Sequence, residues 1–244
     1  MTRFNEDSEG LGEEKGMRIY RNWTEAKSEL ARDLKELGLI VPTLLIQSQK
    51  PLEGFEEVYE LVDYSYTVLD LNLDLLEPTQ PWAEAEFGER IGGLHGYRNF
   101  VPNPGKAWEL RKEIWEPFLE RSGRFAYTYA ERLKVTLEEA VSELKKNPTS
   151  RQIFVPIWWP KDDSVLGRQR VPCSLGYWFR VRENKVNMTH LMRSCDFFTH
   201  WNNDCWLSVK LLDWVCREVN LSRGTFSHFI GSLHVFKPHV KDVF

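Results

Sequence analysis

Residues 173–194 read CSLGYWFRVRENKVNMTHLMRS, and this stretch decides the fold. Cys173, Leu175, Tyr177, Phe179 and Val181 alternate with other residues at a period of two, the spacing of one face of a β-strand. Glu183, Asn184 and Lys185 supply a turn, and the chain returns through Val186 to Met192 as a second strand. A hairpin that turns at residue 183 brings positions 173 and 193 opposite each other. A thiol then lies beside a guanidinium, and a nearby cation favours the reactive thiolate. A cysteine on a strand is also an ordinary small buried hydrophobe, so the pair alone assigns no chemistry.

Outward from the hairpin, SRQIFVPIWW (150–159) reads as a strand, as does TFSHFIGSLHVF (225–236). DCWLSVKLLDWVCREV (204–219) is an amphipathic helix with Cys205, Val209, Leu212, Cys216 and Val219 along one stripe. TLEEAVSELKKNP (136–148) reads as a helix opened by a Thr136–Glu139 capping box and closed by Pro148. In the first half a helix runs from Asn22 to Gly38. LIVPTLLIQ and YSYTVLDLNLDLL read as strands, and the stretch 87–108, rich in Gly and Pro, as an irregular loop. Residues 1–16 are polar and charged and read as a loose tail, leaving 17–244 as one domain. Helices and strands alternate irregularly, which predicts an α/β chain of the α+β type with a mixed sheet.

Composition excludes several classes. The 244 residues carry a formal charge of −4, with no excess of basic residues for a nucleic acid polymer. The four cysteines, Cys173, Cys195, Cys205 and Cys216, form no C-x-x-C pair, so no structural metal site is expected. No apolar run is long enough to span a membrane, and no secretory leader is evident, so a cytoplasmic protein with reduced thiols is expected.

NPTSRQIFVPIWWP (147–160), VPCSLGYWF (171–179), MRSCDFF (192–198) and GSLHVF (231–236) follow one another in the order and spacing of the thymidylate synthase family. The resemblance covers Leu137 to His239 and is traceable back to Trp82. It implies a homodimer built around a large twisted mixed β-sheet at the dimer interface, flanked by helices. It also implies one-carbon transfer from 5,10-methylenetetrahydrofolate, a co-substrate, to carbon 5 of a pyrimidine nucleoside monophosphate. Cys173 resembles the nucleophile that adds to carbon 6. Arg193 and Ser194 resemble the pair on the nucleotide phosphate, and Arg151 resembles an arginine that reaches the phosphate site of the partner subunit. Gln152 stands where the family has a second arginine. Asp196 matches the residue on the pterin, and Trp115 a tryptophan that packs on the folate. His234 matches the residue on the sugar hydroxyl, with Phe236 replacing the tyrosine that accompanies it. The catalytic glutamate is matched to Glu84, with Glu86 as the alternative, and the tyrosine near carbon 5 to Tyr127, with Tyr129 as the alternative. Lys50 stands in for an arginine of the phosphate loop. His190, His200 and His228 have no matched role.

The motif that follows, THWNND (199–204), departs from the family pattern. The asparagine that reads uracil becomes Asp204, unless the register slips and Asn203 meets the base. An asparagine amide both donates and accepts, whereas a carboxylate only accepts. It suits the amino edge of cytosine, and the same Asn-Asp ending occurs in deoxycytidylate hydroxymethylases. Ser174 follows the cysteine in place of a histidine, and ten residues follow His234; both predict that water rather than hydride completes the reaction. The expectation is therefore a dCMP or CMP 5-hydroxymethylase. The alternatives are a methyl product, a uracil nucleotide as substrate, or a nucleotide-binding chain without turnover.

Overall fold

The computed structural model describes residues 18–42, 54–92, 103–163 and 171–244. The expected tail, Lys50 and the loop around His95 lie outside the described residues. The strands are β1 (Arg18–Tyr20), β2 (Leu39–Pro42), β3 (Glu57–Val68), β4 (Phe154–Pro156), β5 (Ser174–Arg182), β6 (Lys185–Met192), β7 (Cys195–Asp196) and β8 (Ser222–Phe236). They form one mixed sheet in the order β1-β3-β8-β6-β5-β4, with β2 paired to β3 and β7 to β8. The helices are α1 (Trp23–Leu37), α2 (Trp82–Ile91), α3 (Lys106–Glu109), α4 (Lys112–Trp115), α5 (Tyr129–Lys146), α6 (Trp201–Val219) and α7 (Val240–Val243).

One row across the sheet shows how the core is built. Val155, Tyr177, His190, His228 and Tyr66 are direct neighbours on β4, β5, β6, β8 and β3. Their side chains are buried under the helices. The Tyr177 and His190 rings stack at 4.5 Å and the His190 and His228 rings at 4.9 Å. The Tyr66 hydroxyl meets Nδ1 of His228 at 2.9 Å. Burial strips both histidines of water and pushes their pKa values down, His228 to about 3, so both stay neutral. The adjacent row, Phe154, Trp178, Thr189, Ser227 and Thr67, points to the opposite face. There Phe154, Trp178 and Phe229 are exposed.

Helix α6 lies against the inner face and buries Cys205, Val209, Leu212 and Cys216, as the stripe predicts. Helix α1 is capped by the Asn22 side chain on the Glu25 amide, and its Trp23 packs on Trp201 and Phe226.

Four expectations are corrected. Helix α5 begins at Tyr129 rather than Thr136, and its capping box is Thr128–Glu131, with both reciprocal bonds made. The T-x-x-E pattern occurs twice, and the apolar stripe decides between the copies, because Ala130 and Leu133 are already buried against the core. The expected strand at 64–76 starts earlier, at Glu57, and stops at Val68. The expected loop at 87–108 begins inside α2 and ends inside α3. The expected strand at 150–159 shrinks to Phe154–Pro156.

Candidate active site

The hairpin positions the first pair. Glu183 and Asn184 both adopt positive φ, the two-residue turn that matches strand twist. From Arg182↔Lys185 to Gly176↔Leu191 the pairing would place Cys173 opposite position 194. A β-bulge between Ser174 and Gly176 removes one step, so that Ser174 pairs with Met192. The carbonyl of Cys173 then accepts from the Arg193 amide at 2.8 Å. At the bulge the Leu175 carbonyl accepts from both Ile157 and Trp158. The Arg193 guanidinium donates from Nε to the Pro172 carbonyl at 2.9 Å and from Nη2 to Val171 at 3.3 Å, with Nη2 3.7 Å from the Cys173 sulfur. The backbone of Arg193 can come this close to β8 because position 231 is glycine; a Cβ there would lie 2.9 Å from the Arg193 carbonyl oxygen.

Cys173, Arg193 and Ser194 open onto a cavity of about 740 Å³. Its walls carry Glu86 and Arg90 from α2, Trp115 from α4, Tyr127 and Tyr129 around the start of α5, Asp196 from β7, Asp204 from α6, and His234 from β8. One region is aromatic, where Trp115 packs on Phe118 and His200. Asp196 braces the entry to α6, its Oδ1 accepting from the amides of Phe198 and Thr199. His234 meets Ser232 through Nδ1 at 3.3 Å, and the Ser232 hydroxyl donates to Glu60. Burial pushes the His234 pKa down.

Successive residues of a helix point about 100° apart, and this separates Asn203 from Asp204. The Asn203 amide is buried and fully engaged: Oδ1 accepts from the Thr79 amide at 2.7 Å, and Nδ2 donates to the Thr199 carbonyl at 3.1 Å. Asp204 faces the cavity, and the Cys195 thiol lies 3.7 Å from its Oδ2. Loss of water pushes the Asp204 pKa from 3.8 up to about 7, against the opposing pull of Arg90, the Cys195 thiol and Arg111.

Packing distinguishes the neighbouring candidates. Glu84 does not line the cavity: its side chain is 56% exposed and meets Lys210 Nζ at 3.4 Å. Glu86, two residues on and so on another helix face, is 18% exposed, lines the cavity, and accepts from Arg90 Nε at 2.9 Å. Tyr127 and Tyr129 both line the cavity, but Tyr129 is the one whose hydroxyl accepts from the Ser174 amide, at 3.3 Å, beside the cysteine. His200, assigned no role from sequence, stands on the cavity wall against Trp115. Arg151 is outside the cavity, exposed near the outer sheet face, where its carbonyl accepts from Trp178 Nε1. Sequence reasoning passed over Arg90 entirely. The available signal was its i+4 spacing from Glu86, which on a helix places the two on one face.

Among the described residues, no group of three or more His, Cys, Asp or Glu could hold a metal ion. No helix there is long and apolar enough to cross a membrane.

The family model for thymidylate synthase matches residues 100–244. The chain belongs to the thymidylate synthase family. A thymidylate synthase homologue of Methanosarcina barkeri is 30% identical over 150 residues, 57% of this chain and 68% of its own length. A thymidylate synthase of Mycoplasma pneumoniae is 26% identical over 159 residues, 60% of this chain and 54% of its own. The solved thermostable thymidylate synthase A from Bacillus subtilis superposes with a TM-score of 0.71 at 15% identity, covering 91% of this chain and 82% of that one. The likeness to that enzyme establishes the thymidylate synthase fold for this chain.

Proposed function

We propose that this member of the thymidylate synthase family is a cytidylate 5-hydroxymethylase, using dCMP or CMP, 5,10-methylenetetrahydrofolate and water. The observation that carries the reading is the placement of Asp204 on the cavity wall while Asn203 is spent on Thr79 and Thr199.

With a pKa near 7, Asp204 holds a proton on about half of the molecules at neutral pH. A neutral carboxyl donates through one oxygen and accepts through the other. It therefore matches cytosine, whose ring nitrogen 3 accepts and whose 4-amino group donates. Attack of the Cys173 thiolate on carbon 6 pushes the C5=C6 electron pair toward carbon 4 and nitrogen 3. Asp204 gives its proton to nitrogen 3, leaving an enamine with its nucleophilic end at carbon 5. The ionised Asp204 then accepts from both nitrogens. Against uracil, whose nitrogen 3 donates and oxygen 4 accepts, an ionised Asp204 faces an acceptor. A protonated Asp204 matches uracil as well, so discrimination comes from the ionised form, which accepts from both nitrogens of the cytosine adduct but opposes uracil oxygen 4.

The remaining roles follow from position. Arg193 offers a cation beside the thiol, and with Ser194 a hold for the phosphate; His234 and Ser232 border the sugar. Trp115, His200 and Asp196 fit a flat, hydrogen-bonding ring, and the folate held there supplies the one-carbon unit. Glu86 and Tyr129, both on the cavity wall, are assigned to removing the carbon 5 proton. The polar His200 on the wall favours a wet cavity: loss of the carbon 5 proton expels tetrahydrofolate, and water adds to the methylene left on carbon 5 before Cys173 departs. The exposed Phe154, Trp178 and Phe229 suit burial in a homodimer, with Arg151 lending its charge to the partner subunit's cavity.

Mass spectrometry of the product after incubation with methylenetetrahydrofolate and each of dCMP, CMP, dUMP and UMP tests the reading. A hydroxymethyl gain on a cytosine nucleotide supports it. A methyl gain overturns the water branch, and product from a uracil nucleotide alone overturns the choice of base.

A further inference from the structure

Arg90 is a buried cation that the reaction above does not use. It is 6% exposed, and removing a guanidinium from water is costly unless its donors are met. Its contacts run in three directions. Nε donates to Glu86 Oε1 at 2.9 Å, Nη1 donates to the Tyr177 hydroxyl at 3.4 Å, and the guanidinium lies 4.5 Å from the centre of the Tyr129 ring. Tyr129 in turn accepts from the amide next to Cys173. One planar group thus ties α2, α5 and β5 together at the cysteine end of the cavity.

We propose that Arg90 is a positioning residue of the one-carbon transfer, aiming the Glu86 carboxylate, bracing Tyr129 beside Cys173, and supplying the positive charge that Asp204 faces. This rests on the cavity's function proposed above. A lysine cannot replace it, because a point charge lacks the forked donors and the flat face.

Other groups also face Asp204. Arg111 acts with Arg90 to favour the ionised carboxylate, and the Cys195 thiol beside it does the same, while Asp196 opposes it. Tyr129, Tyr177 and Cys205 feel the Asp204 charge from α5, β5 and its own helix. Arg90 is the largest influence on Asp204 after desolvation itself.

The test uses R90M and R90K. Steady-state rates are measured from pH 5 to 9 on whichever pyrimidine nucleotide the wild type turns over. The Asp204 titration is followed by carbon-13 NMR, with D204N supplying the assignment. R90M is expected to lose about 10²-fold in kcat, the cost of a misplaced catalytic group, with KM little changed. Its Asp204 titration moves up by about one pH unit, because an opposite charge has gone. R90K keeps the titration near wild type but not the kcat. A wild-type kcat in R90M, or an unmoved Asp204 titration, overturns the proposal. If R90M does not fold, a wild-type kcat in R90K overturns it. A wild type that prefers uracil overturns the base choice alone, since the Arg90 comparison then runs on that nucleotide. A wild type without turnover leaves the NMR titration to decide.

Discussion

Replacing Asp204 by asparagine should stabilise the protein at alkaline pH while removing its activity on cytosine nucleotides. Between pH 3.8 and about 7 the folded chain holds a proton on Asp204 that the unfolded chain has released. The native state then binds more protons than the unfolded state, so stability falls as pH rises through that window. The window spans about three pH units, which at about 1.4 kcal/mol each makes the buried carboxylate a liability of about 4 kcal/mol above pH 7. Asparagine has the same shape and no charge. Urea unfolding of wild type and D204N at pH 4 and pH 8 measures the difference, provided the m-values agree. The two proteins should be nearly equal at pH 4, with D204N ahead by about 4 kcal/mol at pH 8. Without a proton to give to nitrogen 3, D204N should lose about 10²- to 10⁴-fold in kcat on a cytosine nucleotide, the usual worth of a positioned acid. A stability difference that does not change between pH 4 and pH 8 refutes the buried, desolvated carboxyl, and with it the proton source.

Three further substitutions separate neighbours that sequence alone confuses. E86Q should lower kcat by about 10²-fold or more, whereas E84Q, which removes an exposed pair with Lys210, should leave kcat near wild type and stability within about 1 kcal/mol; steady-state kinetics that reverse this order contradict the placement of Glu86. N203A should cost about 1–3 kcal/mol by orphaning the Thr79 amide, while leaving the ratio of cytosine to uracil turnover unchanged; a changed ratio places Asn203, not Asp204, on the base.

Much of this was legible in the residues themselves. The hairpin, its turn and the pairing of Cys173 with Arg193 followed from alternation, although simple counting along the ladder would have missed without the bulge at Ser174–Gly176. The stripe on α6 and the long final strand also followed, because burial on one face leaves a period. What failed lacked such a signal. Glu84 and Glu86 share a helix and a chemistry, and only the packing of α2 shows which one turns inward. Thr128 and Thr136 open the same four-residue pattern, and only the buried Ala130 and Leu133 show where the helix starts. The resemblance to the family favoured Tyr127 over Tyr129, and nothing in the sequence shows which hydroxyl meets the Ser174 amide. Arg90 stayed invisible because an arginine on a helix is usually solvated, and nothing local announces that this one is enclosed.

The most direct measurement is the ratio of kcat/KM for dCMP over dUMP in the wild-type protein at pH 7, with CMP and UMP as the ribose pair. A ratio well above one in favour of the cytosine nucleotide is expected, because the ionised Asp204 accepts from both nitrogens of the cytosine adduct and opposes uracil oxygen 4. A ratio at or below one, with the enzyme active, contradicts the role given to Asp204.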